Sequence, residues 1–252
     1  MFQGIAHIFG LLFAPLHAYE PAGMFTLPHF LLLGVSAAGI IFTLRLCRHI
    51  KWQTLTRRFA VALTVLEAVK IFYNLKNGYT WPDAWVPLSF CSLFLYALWM
   101  TGYGGGWVKR WGSAFLCYGA ITGGAAFLAV PTTSLMNYPA WHFLCLYSML
   151  YHSVMVCLGV QYLRGLPERP GGRQYGEFAA FFGISALFCV FLNGILGSNF
   201  MILREPYHIP VAAVRRLYEA CPPAYTMLAA AACLLIPGAV TTALYPVLHR
   251  SR

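Results

Sequence analysis

Trp85-Val86-Pro87-Leu88-Ser89-Phe90-Cys91-Ser92-Leu93-Phe94-Leu95-Tyr96 is the stretch around which the rest of the chain is organised. Proline at a first helical position gives up no needed backbone donor, so Pro87 predicts a helix start, with Cys91 one turn inside an apolar rod. The helix is expected to continue to about Thr101. A buried cysteine is most often a small hydrophobe, so chemistry at Cys91 depends on which other residues reach the same place.

The 252 residues are 60% apolar and 10% charged, with a mean hydropathy of +0.65, a balance that implies an integral membrane protein. The apolar runs are continuous and roughly twenty residues long, which fits spanning helices and not the alternating ten-residue segments of a β-barrel. Tryptophan and tyrosine gather near the ends of these runs, where the headgroup layer favours them. The eight cysteines include no CxxC pair, so neither a disulfide framework nor a zinc site is expected, and no cofactor is implied.

Residues 1–24 are broken by Gly4, Gly10, Pro15 and Pro21 and read as an interfacial segment. Residues 25–252 read as a single all-α domain, a seven-transmembrane-helix bundle. Its spans are Phe25 to Leu46, Phe59 to Leu75, the opening stretch, Trp111 to Val130, a run after Pro139 to Leu163, Glu177 to Leu203, and Pro223 to Leu248. Gly119, Gly123, Gly124, Ala125 and Ala126 make the fourth helix a close-packing element. On the fifth, His142, Cys145, Met149, His152 and Val156 form one stripe. The Gly102 to Gly106 run lacks the spacing and lysine of a phosphate loop and reads as a flexible turn.

Charge sets the orientation. Arg45, Arg48, Lys51, Arg57, Arg58, Lys109, Arg110, Arg164, Arg169, Arg173, Arg250 and Arg252 fall on one side, against Lys76, Arg204, Arg215 and Arg216 on the other. The N-terminus is therefore expected outside and the C-terminus in the cytoplasm. The net charge of +10 is then accounted for by the anionic inner leaflet, and nucleic acid binding is not needed. A cell membrane is the expected location.

Rise along a helix places His29, Lys70, Cys91, His142, Asn193 and Asn199 in the outer half of the bilayer, with Glu67 and His152 near its middle. Polar groups at such depth are costly and normally face a bundle interior or a cavity. Each also has a structural reading. Glu67 and Lys70, three apart on one helix face, can neutralise each other; His29 and His142 can sit in headgroup water; the asparagines can tie the sixth helix to its neighbours.

Pro87-Leu88-Ser89-Phe90-Cys91, Glu67-xx-Lys70, Tyr151-His152 and the Asn193…Asn199-Phe200-Met201-Ile202-Leu203 run together resemble the YwaF-like bacterial integral membrane family. A vertebrate relative of that family is a membrane acyltransferase acting on ether phospholipids, with a cysteine implicated at the Cys91 position. The resemblance spans roughly His29 to Leu203. It departs at Ser89, where the family more often has histidine, and at Phe200, where it more often has tyrosine.

The resemblance implies acyl transfer or acyl hydrolysis through a Cys91 thioester, with membrane phospholipids or lysophospholipids as partners. A thiol in apolar surroundings needs a base or cation, for which His152 and Lys70 are the candidates, with His142 not separated from His152 by depth. Glu67 belongs to the same polar set, Asn193 or Asn199 would serve the oxyanion, and His29 and His142 would contact substrate. The rival is a non-enzymatic transporter or receptor with a polar path through Glu67, Lys70 and His152.

The orientation has a direct test. Membrane-impermeant thiol probes on intact cells should label cysteines introduced near Met136 and His208 but not near Lys109 or Arg169. The reverse pattern would invert the bundle.

Overall fold

The structure, a computed structural model, describes residues 2–79 and 81–249. Arg250 and Arg252 of the charge asymmetry lie outside them. Among the described residues every regular element is helical: α1 (Phe2–Leu12), α2 (Leu27–Leu46), α3 (Trp52–Lys76), α4 (Pro82–Trp85), α5 (Leu93–Tyr103), α6 (Gly106–Ala129), α7 (Phe143–Gly165), α8 (Gly172–Leu196), a 3₁₀ turn (Phe200–Ile202), α9 (Ala212–Ala220) and α10 (Pro222–His249).

Helices α6 and α7 form the centre. Helices α5, α8 and α10 lie against α6, while α2 and α3 lie against α7. The core they enclose is aromatic and aliphatic, with Phe94, Leu98, Phe115, Met155, Leu158 and Phe178 fully buried. Large apolar side chains on the outer faces, such as Val35, Leu187 and Met227, are exposed, as a lipid-facing surface requires.

The central pair is set by small residues. A Cβ on Gly124 would lie 2.7 Å from the His152 carbonyl oxygen, and one on Gly123 would lie 2.9 Å from the Phe90 ring. Only a hydrogen fits at either place, so α6 approaches both α7 and the segment before α5 more closely than any larger residue allows.

Among the described residues, five helices, α2, α6, α7, α8 and α10, are long and apolar enough to cross a membrane. The expected count of seven requires two more. Helix α3 has 25 residues but is diluted by Arg57, Arg58, Glu67 and Lys70, and α5 has only 11 residues. At about 1.5 Å per residue α5 covers roughly half of the hydrocarbon core.

Other expected boundaries move for local reasons. The helix expected from Pro87 begins at Leu93, so Cys91 is in a turn and not on a helix. The helix expected to reach Leu203 ends at Leu196, where Gly197 takes the left-handed conformation (φ 65°) that terminates helices, which places Asn199 outside it. The fifth expected helix starts at Phe143, so His142 is its cap and no longer a member of the stripe. The loop after Leu203 carries α9.

The N-terminal segment, expected at the interface, packs against the bundle. Ala22 and Gly23 donate backbone N–H groups to the carbonyls of Tyr138 and Leu135 at 3.0 and 2.8 Å, and the Tyr73 hydroxyl donates to the Ala14 carbonyl at 2.6 Å. The segment is thus docked on the loop between α6 and α7.

Gly124→Ala should lower the melting temperature of the detergent-solubilised protein by several degrees, as expected for about 1–3 kcal/mol of overpacking. Gly176→Ala, where an added Cβ meets nothing within 4 Å, is the control and should leave it unchanged or slightly raised.

Candidate functional site

The segment from Val86 to Ser92 is a break between α4 and α5, and its cause is local. Val86 precedes a proline and is held extended (φ −83°, ψ 120°). Three residues on, the Ser89 hydroxyl accepts the Ser92 N–H at 3.0 Å, offering the backbone an alternative to a helical bond. The chain then tightens into the first turn of α5, with Phe94 and Leu95 donating to the carbonyls of Cys91 and Ser92 at 3.0 Å.

Irregular backbone at membrane depth persists only where protein groups satisfy it. Here the Tyr151 hydroxyl of α7 donates to the Cys91 carbonyl at 3.0 Å, and the Cys189 thiol of α8 donates to the Leu88 carbonyl at 3.6 Å. The Cys91 thiol, half-buried, donates to the Gly123 carbonyl of α6 at 3.8 Å. The break is therefore held from three helices. Gly123 lies six residues before Ala129 and Tyr151 eight after Phe143, so the site is roughly 9–12 Å below that end of the bundle.

A polar cluster adjoins it. The Tyr147 hydroxyl donates a very short bond to Glu67 Oε2, and Lys70 Nζ stands 2.5 Å from Oε1. Glu67 is 6% exposed, so this pairing is what makes its burial tolerable. The Tyr147 and Tyr151 rings are 5.8 Å apart, which brings the cluster to the Cys91 turn. Sequence reasoning missed Tyr147 and gave Tyr151 no role beyond its place in the Tyr151-His152 motif. Their spacing of four on a helix that also carries His152 was the available signal.

His152 follows Tyr151 and is 6% exposed. Its Nδ1 donates to the Ser148 carbonyl at 2.7 Å, which fixes Nε2 as the unprotonated nitrogen of the neutral ring. The ring stacks on Phe127, one turn beyond Gly123, at 3.6 Å and 7°. Buried Nε2 has no hydrogen-bond partner. The Cys91 thiol bonds the Gly123 carbonyl and not the imidazole, while the His152 backbone lies against the next residue of α6, Gly124.

The other candidates fall elsewhere. His29 accepts the Phe25 N–H at Nδ1 and donates from Nε2 to the Leu128 carbonyl at 3.0 Å. His142 accepts the Leu144 N–H, and its Nε2 faces the Ala14 carbonyl and the Tyr73 hydroxyl at 3.1 and 3.2 Å. His142 thus belongs to the docking of the N-terminal segment, about fifteen ångströms of helix rise from His152.

Asn193 and Asn199 are engaged with backbone. Asn193 grips Phe200 at both N–H and carbonyl, at 2.7 and 3.1 Å. Asn199 accepts the N–H groups of Arg204 and Glu205 and donates to the Glu205 carbonyl at 2.9 Å. The Asn199 backbone N–H also donates to Asp83 of α4 at 3.2 Å, tying this turn to the element that leads into the Cys91 break. Among the described residues, no group of three His, Cys, Asp or Glu side chains is arranged to hold a metal ion.

The TMEM164 family model matches residues 24–247, from the docked N-terminal segment to the end of α10. The chain belongs to the TMEM164 family. The match takes in every residue of the Cys91 turn and of the Glu67 cluster. No curated protein and no solved structure shows significant similarity to this TMEM164-family chain.

Within that cluster, Glu67→Gln and Lys70→Met should each lower the melting temperature, because each strands the other's partner in low dielectric. The double substitution should recover part of the loss. Tyr147→Phe, which leaves a carboxylate oxygen short of a donor, should cost about 1–3 kcal/mol. Simple additivity of the Glu67 and Lys70 effects would show that the two do not interact.

Proposed function

We propose that this TMEM164-family chain is a membrane-embedded lipid acyltransferase, or lipid acyl hydrolase, working through a thioester on Cys91. Its partners are membrane phospholipids or lysophospholipids, in a bacterial inner membrane. The observation that carries the reading is a nucleophilic side chain in a helix break, bonded to Gly123 beside the Gly124 that packs on His152, whose buried Nε2 has no partner among the described residues. Regular packing requires neither feature, and breaks of membrane helices are a recurrent way of building sites. The resemblance at Pro87 to Cys91 and at Tyr151-His152 supports the same chemistry.

In the proposed reaction the thiol exchanges the Gly123 carbonyl for His152 Nε2 and passes its proton to the ring. The thiolate attacks the ester carbonyl of a donor lipid. As the C–S bond forms and the ester C–O bond breaks, the imidazolium returns the proton to the leaving alkoxide, releasing a lysolipid. A second hydroxyl, from a lysophospholipid or from water, then gives its proton to Nε2 and attacks the thioester, regenerating the thiol.

Glu67, Lys70 and Tyr147 position α3 against α7 and so hold Tyr151 on the Cys91 carbonyl. Asn193 and Asn199 shape the turn beside the break, and His29 and His142 stand at the end where lipid would enter. In the same proposal α3 and the α4 to α5 unit complete seven crossings, with the N-terminus outside and the site nearer the outer leaflet.

A transporter or receptor is the second reading. It is favoured by the bond from the resting thiol to a carbonyl, which leaves Glu67, Lys70 and His152 as a polar path and Cys91 as filler.

One labelling experiment separates the two. An alkynyl fatty acyl donor should give hydroxylamine-sensitive labelling of the wild type, absent in Cys91→Ser and retained when Cys117, Cys145, Cys157 or Cys189 is replaced. His152→Ala should slow labelling by about 10²-fold or more. Full labelling of Cys91→Ser would end the thioester reading and favour the path.

A further inference from the structure

A cavity of about 480 Å³ opens at the other end of the bundle, between the starts of α6 and α8. Gly106 and Gly123 are separated by about 25 Å of rise along α6, so this space is distinct from the Cys91 break. Its walls carry Lys109, Arg110 and Arg173 against a single acid, Glu177.

That acid is already shared. Arg110 Nε and Arg173 Nε approach the same Glu177 oxygen at 2.8 and 3.6 Å, while Lys109 has no ion pair among the described residues. Three cations facing one carboxylate leave two positive charges unbalanced in a concave space. The helix ends add to the excess: α6 and α8 are preceded by the N-cap glycines Gly105 and Gly171, which offer no side-chain cap, so the first N–H groups of both helices and their positive dipole ends face the same region. Arginine prefers phosphate for its planar donors, and lysine serves as a point charge beside it.

We propose that this cavity binds the phosphate group of a phosphate ester. The positive-inside rule puts it at the headgroup level of the cytoplasmic leaflet, where such groups are supplied by anionic phospholipids and by soluble phosphate esters alike. The glycines at 102–106, which lack a phosphate-loop pattern, contribute here by leaving the start of α6 uncapped. The site does not depend on acyl chemistry at Cys91.

The test uses the full chain in detergent, titrated separately with dihexanoyl phosphatidate, dihexanoyl phosphatidylcholine and inorganic phosphate, with binding read by thermal shift. Saturable stabilisation by phosphatidate, weakening as salt rises, is expected. The double variant Lys109→Ala with Arg173→Ala should bind at least about tenfold more weakly. Both side chains are exposed, so the fold is retained. Glu177→Gln should bind more tightly, since the competing carboxylate is gone.

Stabilisation by phosphatidate but not by inorganic phosphate supports the site with a lipid as its source. Equal effects of the two support it with a soluble ester as the source. Cys91→Ser should bind as the wild type does, which keeps this result separate from the fate of the thioester. No stabilisation by either phosphate probe, or an affinity unchanged in the double variant, overturns the site.

Discussion

The contact between Gly124 and the His152 carbonyl is the constraint on which the centre of the bundle depends. With no Cβ at 123 or 124, the α6 backbone lies directly against α7 and against Phe90. This proximity lets the Gly123 carbonyl receive the Cys91 thiol and brings Phe127 onto the His152 ring. A methyl group at Gly124 would push α6 away from α7 and disturb both the bond of the thiol to Gly123 and the stacking of Phe127 on His152.

Polar groups far from water are sustained by pairing within that frame. Glu67 is neutralised by Lys70 on its own helix and bonded by Tyr147 from the facing one, so its charge is compensated across an interface as well as along a helix face. The Cys91 break is satisfied in the same manner, with its carbonyls received by a tyrosine and a cysteine from two other helices. A second irregular turn is held by Asn193, whose amide grips both sides of Phe200. Met201 and Ile202 beside it take left-handed backbone (φ 57° and 55°), a strained conformation for residues other than glycine. The carbonyls of that strained turn in turn receive Tyr225 and Thr226, which fasten α10 to it.

Much of this was legible in the chain. The membrane class, the small-residue face of α6 and the Glu67 to Lys70 pair all follow from composition or short spacing. Helix limits were less so. Pro87 was a sound helix-start signal in isolation, but Ser89 redirects the next N–H group, and a hydroxyl in a turn carries no periodic signature. Asn193 and Asn199 read as two positions on one helix because nothing in the run short of Gly197 marks its end.

The sequence by itself determined what kind of solvent this protein lives in, which helices are apolar, where its positive charges cluster, and that a few polar residues must meet inside. These are properties of side-chain type and local spacing, and they survive any arrangement of the helices. Tertiary structure alone decided which polar residues meet. It joined Tyr147 to Glu67 across 80 positions and Tyr151 to the Cys91 carbonyl across 60, and it sent His142 to the N-terminal segment while packing His152 on Gly124, beside the Gly123 that receives the thiol. Which helix faces which is fixed by packing over the whole bundle, and no window of the chain contains that information.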